Sequence, residues 1–595
     1  MAILNTNSTQ DASLVTGESF DFLTQAVKTK FLNSFETDLD SIPLYIFYGK
    51  STRWDSPNAP TDSPTQPSNS FSDDISIRQN MLALKKVLKQ DTRVAFVQHT
   101  WSSGKVFDQY DVNKDHSLAA NREIYSFQDS NILANYGAVY KCLDNNNGSG
   151  STERPYFNPQ TAPVTLDDGY KWKYMFTIPA AELSKFQTNQ APDDNFLPIV
   201  EDTTYKGDAG TIDRIDITTG GTGYTPYNTI PLVDNNTPIG IYVKGDGLEI
   251  DTSRIKILSV TTNNAIDTFS TEQENLVQGG GYSRNATYGN WVPVRFEDFG
   301  LSDSEISALI DPNRKEAYGL AKINAQGTID SPRDVIVIDG GSGYTANSEV
   351  KIVQSSTIAY GTVTDGVISS IKITNAGKNH RSATVIPVHA HSSGTDFKGV
   401  AQISPINGHG SDAKKELNAN AIFINNRVTA TPNTAELAAG LQTLDFSRTN
   451  DFRQVGLIQG PRGISTVEDS PAPFINDETA NAKYSLTVNE IDTSVADNVV
   501  ADTLIIGNQS GATGRVVDVF TSGGNKVIRY NKTGVSDFRV SENILATGLS
   551  GNHRISSVTN PEVDVFTGDI LFINNSEPIS RDEDQSETVN FIITF

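Results

Sequence analysis

His389-Ala-His391 sets two imidazoles on one face of a strand, because side chains alternate along extended backbone, and such a pair can hold a metal ion, with His380 close by in sequence. The same pair also serves as ordinary polar facing on an exposed strand, and no metal ligand is assigned to it. Asp111-Val-Asn113-Lys-Asp115-His-Ser117 alternates oxygen ligands as the opening of a calcium loop does. However, His116 stands where the sharp turn needs glycine and Arg122 where a bidentate glutamate would close the shell, so a polar hairpin turn is expected instead. Gly340-Gly-Ser342-Gly-Tyr344 puts a serine between glycines, but Tyr344 occupies the second required glycine of a nucleophile elbow and no strand-to-helix turn is expected there. Lys50 and Asp168 sit beside glycines without the loop leading from strand to helix that cradles a phosphate. No nucleophile, base and oxyanion donor assemble, so the expectation is a protein without catalytic site, cofactor or small-molecule substrate.

The aromatic residues are the more informative set. In Tyr170-Lys-Trp172-Lys-Tyr174 the strand period gives one aromatic face and one basic face. Trp54, Tyr170, Trp172 and Tyr174, with Phe176, are candidates for core packing or for a subunit contact, since Trp and Tyr are favoured interface anchors. Packing is the expectation.

The elements that position these residues are mostly strands. Apolar residues at Phe20, Leu23, Val27, Phe31 and Phe35 predict a helix after Ser19, and Ile77, Met81, Leu84 and Leu88 predict a second over Asp74–Lys89, capped by Ser72 or Asp73. SIPLYIFYGK reads as a buried strand, and the Pro- and Ser-rich WDSPNAPTDSPTQPSNS as a surface loop or arm. VAFVQHTW, KVFDQYDV, EIYSFQD, AVYKCLD and YKWKYMFTIP read as strands of an α+β domain.

Beyond it lies an internal repeat. Ile215-Asp-Ile-Thr-Thr-Gly-Gly-Thr-Gly-Tyr224-Thr returns as Val335-Ile-Val-Ile-Asp-Gly-Gly-Ser-Gly-Tyr344-Thr, and more weakly as Ile371 to His380, while Gly279-Gly-Gly-Tyr282 keeps a fragment. Each full copy joins a β-branched strand to a glycine turn, and its tyrosine is expected to pack over that turn. From Ala419 the first style resumes, with strands in NAIFINNRV and DFRQVGLI and a short helix near AELAAGLQTL. A second insertion carries two strands in Leu504–Val519 and one in Phe538–Ile544, and the chain closes on two strands, Leu571 to Phe595, read as a buried hairpin around a charged turn.

Bulk properties agree with this reading. With 595 residues, 37% hydrophobic and 20% charged, the chain is too long for one core and too apolar for disorder, while 45 glycines and 25 prolines supply turns. Asp and Glu outnumber Lys and Arg by 71 to 47, and a net charge of −24 repels nucleic acid. Cys142 stands alone, so no disulfide or cysteine cluster holds the fold. No leader-like or membrane-length apolar run is present in the sequence. The expected class is mainly β with some α, an α+β multidomain chain of sandwich-like domains with inserted Gly-rich β-repeat modules. The expected divisions are 1–205, an α+β domain; 206–405, the repeat insertion; 406–487, a β domain; 488–557, a small inserted β module; and 558–595, the closing hairpin of that β domain.

Several segments together resemble one known family. YIFYGKSTRW (Tyr45 to Trp54), YKCLD (Tyr140 to Asp144), DGYKWKYMFTIP (Asp168 to Pro179), Phe452-Arg453-Gln454, and the terminal run from Gly568 to Phe595 occur in the order found in the gene 8 baseplate wedge family of T-even-type contractile-tailed phages. Gly49 and Trp54 are one residue further apart than in that family, and both repeat-rich insertions depart from its shorter pattern. The resemblance covers roughly 15–205, 415–485 and 560–595. It implies a structural subunit of the virion's tail baseplate, assembled in the host cytoplasm, that forms a homodimer and contacts other baseplate wedge proteins. It implies nothing about the insertions. A receptor- or glycan-binding tail protein is the alternative, since Gly-rich β-repeats with exposed aromatics would also serve that role.

Overall fold

In LYIFYG, Leu44–Gly49, every residue is buried, and a strand apolar on both faces has to run through the middle of a layered structure. In the computed structural model it pairs antiparallel with Met81–Lys86 on one side and Phe452–Gln459 on the other. Thr479–Asn481 and Asp569–Ile579 complete a five-stranded sheet. The structure describes residues 42–54, 63–68, 70–113, 123–129, 136–186, 195–227, 239–300, 314–389, 394–429, 451–465, 471–489, 499–522, 524–549, 552–579 and 586–594. The helices expected after Ser19 and near AELAAGLQTL, His391, and most of the Asp111–Arg122 loop lie outside these residues. The described chain is mainly β, in several sheets.

Contacts divide the chain into two units, Met1–Ala95 with Asn420–Phe595, and Phe96–Ala419. Residues 96–205 therefore group with the repeat region, whereas composition had placed them with 1–95. In the first unit, one face of the central strand sends Tyr45 and Phe47 into a core with Ile77, Met81, Leu84, Ile458 and Val563. From the other face, Tyr48 meets Phe452 edge to face at 5.3 Å and donates its hydroxyl to Asn426 Oδ1. Asn426 belongs to Ala421–Thr429, which pairs with Thr92–Val97 and with Ser586–Thr594 in a second sheet.

Two expectations are corrected in these two sheets. The second helix is only Phe71–Gln79, capped by Ser70, whose side chain accepts from the Asp73 amide, and Asn80 ends it. Met81 to Lys86 is instead a strand, satisfied by ladders to Leu44–Gly49 and Thr479–Asn481. Ile77, Met81 and Leu84 do enter one core, which is why they read as a helical stripe. At the chain end, Asp569–Ile579 and Ser586–Thr594 are not a hairpin. The first pairs with Phe452–Gln459 and the second with Ala421–Thr429, in different sheets, and the rings of Phe572 and Phe591 meet at 5.5 Å.

The described strands between 484 and 559 form a six-stranded sheet around Leu486, Val488, Ile505, Val516, Ile528, Tyr530 and Ile555. Leu504–Gly507 and Thr513–Ser522 are the expected pair of strands. The later strand is Ile544–Ala546, not Phe538–Ile544, and Phe538 is buried as a core residue beside Tyr530. Glu542 is fully buried and anchors the Gly507–Ala512 turn. Its Oε1 accepts from Arg539 N and Ser510 Oγ, and its Oε2 from Gln509 N and Ser510 N. Burial pushes this carboxyl up, but the four donors outweigh it and hold it below the ordinary range. A depressed carboxyl stabilises the fold above its unfolded value, about 4.3, and that contribution is lost as pH falls through the folded value. Glu542→Gln is expected to cost on the order of 2 kcal/mol and to flatten the acid limb of the stability profile. Amide exchange at Ser510 to Ala512, followed from neutral to acid pH, reads this directly; an unchanged profile in the variant would disprove the anchoring role.

The described residues of the Phe96–Ala419 unit build four sheets of their own. Tyr125–Phe127, Ala138–Asp144, Lys171–Thr177 and Val164–Thr165 make the first, around Phe107, Tyr140, Cys142, Tyr170, Trp172 and Tyr174. KVFDQYDV is not one of its strands. Its backbone amides at Asp108 and Tyr110 find the single carbonyls of Glu123 and Cys142 instead of a ladder. The repeat region builds a seven-stranded sheet led by Glu249–Val260, Trp291–Phe299, Ala317–Lys322 and Glu349–Ser355. It also builds a four-stranded sheet centred on Ile239–Gly245 and Thr357–Thr364, and a two-stranded one of Ile212–Thr222 with Thr395–Ile403. Among the described residues, its cores share no residue with the first sheet's core.

The repeats share a backbone signature. Their second and fourth turn positions have positive φ, at Gly221 (68°) and Gly223 (78°), Gly341 (63°) and Gly343 (81°), and Gly377 (67°) and Asn379 (62°). Such values favour glycine and, next, asparagine. The tyrosine that follows is buried and inserts its hydroxyl between neighbouring strands. Tyr344 donates to Phe296 O at 2.9 Å and accepts from Ala317 N at 3.0 Å, the last pair of that ladder. Tyr282 donates to Ile352 O at 2.8 Å and accepts from Ser253 N at 2.9 Å, beside a bulge. Tyr224 is likewise buried and packs edge to face on His389. Tyr344→Phe leaves a buried carbonyl and amide without this partner, so a loss of about 1–3 kcal/mol is expected in denaturant melts. A variant that melts with the wild type would show that the hydroxyl is dispensable.

Candidate functional site

Lys141 and Lys173 stand in the middle of Ala138–Asp144 and Lys171–Thr177, directly opposite one another, and both are fully buried. Like charges facing across a ladder repel, so this pair needs counter-charge from elsewhere. Residues 404–419, the segment leaving the repeat region, deliver it. Glu416, on the short helix Ala413–Glu416, places Oε2 3.0 Å from Lys141 Nζ, and its Oε1 accepts from Gly410 N and Asp412 N. His409 Nδ1 lies 3.2 Å from the same ammonium, and its Nε2 lies 2.7 Å from Asp213 Oδ2. Nδ1 also lies 3.4 Å from Glu416 Oε2, so the imidazole sits between the carboxylates of Glu416 and Asp213, beside the Lys141 ammonium. The Tyr110 ring covers Lys141 Nζ at 4.1 Å and packs edge to face on His409.

The same polar layer spreads outward. Lys173 Nζ donates to Tyr205 O at 2.7 Å, and Lys171 Nζ to Asp213 O at 2.6 Å. Arg214 donates to the carbonyls of Tyr110 and Leu143 and pairs with Asp216 at 2.7 Å. Burial pushes the Glu416 carboxyl up, but Lys141 and His409 outweigh it and hold it at about 2. Burial lowers Lys173 to about 8, with Glu416 opposing and Lys141 adding to the shift. The side chains of Lys141, Glu416, His409 and Asp213 are 1, 5, 3 and 2% exposed, so the cluster is closed off from solvent.

The residues singled out from sequence fall elsewhere. Tyr170, Trp172 and Tyr174 are core residues of the first sheet, and the basic face between them is the buried lysine face just described. Trp54 is half-buried, donates from Nε1 to Ser576 O at 2.8 Å, and has Lys50 Nζ over its ring at 5.5 Å. His389 packs edge to face on Tyr224, and His380, fully enclosed, presents Nε2 to Thr357 Oγ1 at 3.0 Å. Among the described residues no group of three or more His, Cys, Asp and Glu converges to hold a metal. Ser342 Oγ accepts from Lys315 N, and Asp168 gathers Ser151, Thr152, Glu153 and Tyr170 into a turn. No described helix is long and apolar enough to cross a membrane.

Sequence reasoning passed over Lys141, Asp213, His409 and Glu416. The signal was there in part: a lysine inside an otherwise apolar strand, in YKC and again in WKY, must either reach water or be met by a carboxylate. No family model matches the chain, and no curated protein matches it.

Proposed function

We propose that the chain is a structural subunit of a contractile-tail baseplate wedge, similar to the gene 8 family, that pairs with a second copy and holds neighbouring wedge proteins in register until the baseplate changes shape. One observation carries the reading: the short segments that resemble the family, far apart in sequence, are neighbours in sheets. Tyr45 to Trp54, Phe452-Arg453-Gln454 and the run after Gly568 contribute three adjacent strands of one sheet, and Tyr140–Asp144 lies against the strand of Asp168 to Pro179. A family pattern that falls on strands paired with one another is what a common framework with tolerated insertions requires. The rival receptor- or glycan-binding reading relied on exposed repeat aromatics, and Tyr224, Tyr282 and Tyr344 lie inside.

A scaffold works through interface area and bistable contacts, so it should co-purify with other baseplate proteins in fixed stoichiometry. It should sediment as a dimer or larger at micromolar concentration. A 64.5 kDa monomer that adsorbs to host cells by itself would overturn the proposal.

A further inference from the structure

We propose that residues 404–419 are a releasable strap, held on the first sheet of the Phe96–Ala419 unit by charge and able to detach while the sheets beneath stay folded. The inference does not rest on the baseplate reading. The strap leaves Thr395–Ile403, crosses the buried lysines, and continues into Ala421–Thr429. Its buried anchors are Ser404, Gly408, His409, Gly410, Ala413, Glu416, Leu417 and Ala419, of which Leu417 is the single large apolar side chain. Ile406, the other large one, is 76% exposed. What holds the segment is the Lys141–Glu416 pair, the His409–Asp213 pair with the Tyr110 ring against it, the Lys414–Glu201 pair at 2.6 Å, and backbone bonds such as Gly207 N to His409 O and Ser404 N to Thr211 O, both 2.8 Å.

Buried ion pairs return little beyond the cost of drying them, whereas the sheet below is held by Tyr140, Tyr170, Trp172 and Tyr174. An element anchored chiefly by charge, over a layer anchored by aromatic burial, belongs to the low-stability end of the molecule. Once free, residues 404–419 span up to roughly 50 Å at about 3.3 Å each, which gives slack to the chain entering Ala421–Thr429. The charges also set direction. Opening hydrates Lys141, Glu416, His409 and Asp213 together, so no unpaired charge is left behind in a dry site.

Hydrogen exchange on the full chain tests this. The wild type is expected to exchange the Glu416 and Leu417 amides, bonded to Asp412 O and Ala413 O, faster than the amides of Ala138–Asp144. Glu416→Gln should speed strap exchange roughly tenfold or more, and promote tryptic cleavage after Lys414 and Lys415, while Ala138–Asp144 stays protected. Lys141→Met combined with Glu416→Leu, which replaces the pair with apolar contact, should return the strap to wild-type protection or better. Strap amides that exchange at the rate of Ala138–Asp144 in the wild type, loss of protection in both together in Glu416→Gln, or a double variant as open as the single one would each overturn the proposal.

Discussion

A chain that ends at Asn590 is expected to lose the second sheet of its carboxy-terminal unit. Residues 591–594 pair with Ala421 to Ile424, the buried end of an inner strand of that sheet, so truncation removes four of the nine pairs along one of its edges. Phe591 is 6% exposed and stands opposite Ile424, with its ring on Phe572. Removing a buried phenylalanine costs about 3–5 kcal/mol, and the lost ladder adds to it, against a typical total of about 5–15 kcal/mol. The truncated protein should be insoluble or melt far below the wild type, with Phe591→Ala intermediate. A truncated chain with a normal melt would mean that Ala421–Thr429 tolerates an open edge. The expected severity matches that of a buried hairpin, but the cause differs, because the strand belongs to a neighbour distant in sequence.

What the sequence made legible follows from the range of the forces involved. Leu44–Gly49 announced itself because burial on both faces writes a continuous apolar run, and Ala138–Asp144 and Lys171–Thr177 because aromatic and other apolar residues recur along one face between turn residues. The glycine turns were legible because positive φ selects residue type locally, down to Asn379 standing where a glycine stands in the full copies. Pairing was not local. Met81 to Lys86 carries a period that suits a helix and a strand alike, and ladders to residues before and far beyond it decided the matter. The charge cluster was the least legible part. Lys141 and Glu416 are 275 positions apart, and a lysine in an apolar strand does not say which carboxylate meets it until the fold brings the two to 3.0 Å. The aromatic candidates were found because size alone marks them; that they pack inward was a matter of sheet geometry, with Trp172 meeting Phe107 edge to face at 5.1 Å.

Gly456 carries the second large expected effect. It lies in the centre of Phe452–Gln459, opposite Phe47 on one side and Ile573 on the other. A Cβ placed there would come within 2.4 Å of the Phe47 ring and 2.5 Å of Phe572 O. Its φ is not in the left-handed region, so the requirement for glycine is one of space and not of backbone strain. Phe47 is fully buried among Tyr45, Leu84 and Ile458 and cannot swing away without disturbing that core. The strand Asp569–Ile579 could yield instead, but its bonds to Phe452–Gln459 would stretch as it moved. Gly456→Ala is therefore expected to cost about 3 kcal/mol or more, at the upper end for an added methyl. Gly463 supplies the control, since a Cβ there has nothing nearer than 3.7 Å and its φ is ordinary, so Gly463→Ala should be close to neutral. Phe47→Leu in the Gly456→Ala background should restore part of the loss, because the two substitutions act on one contact and are not additive. Equal melting temperatures for Gly456→Ala and Gly463→Ala, or no rescue by Phe47→Leu, would show that the sheet absorbs the methyl elsewhere and that the packing of Phe47 against Gly456 does not fix the spacing of these three strands.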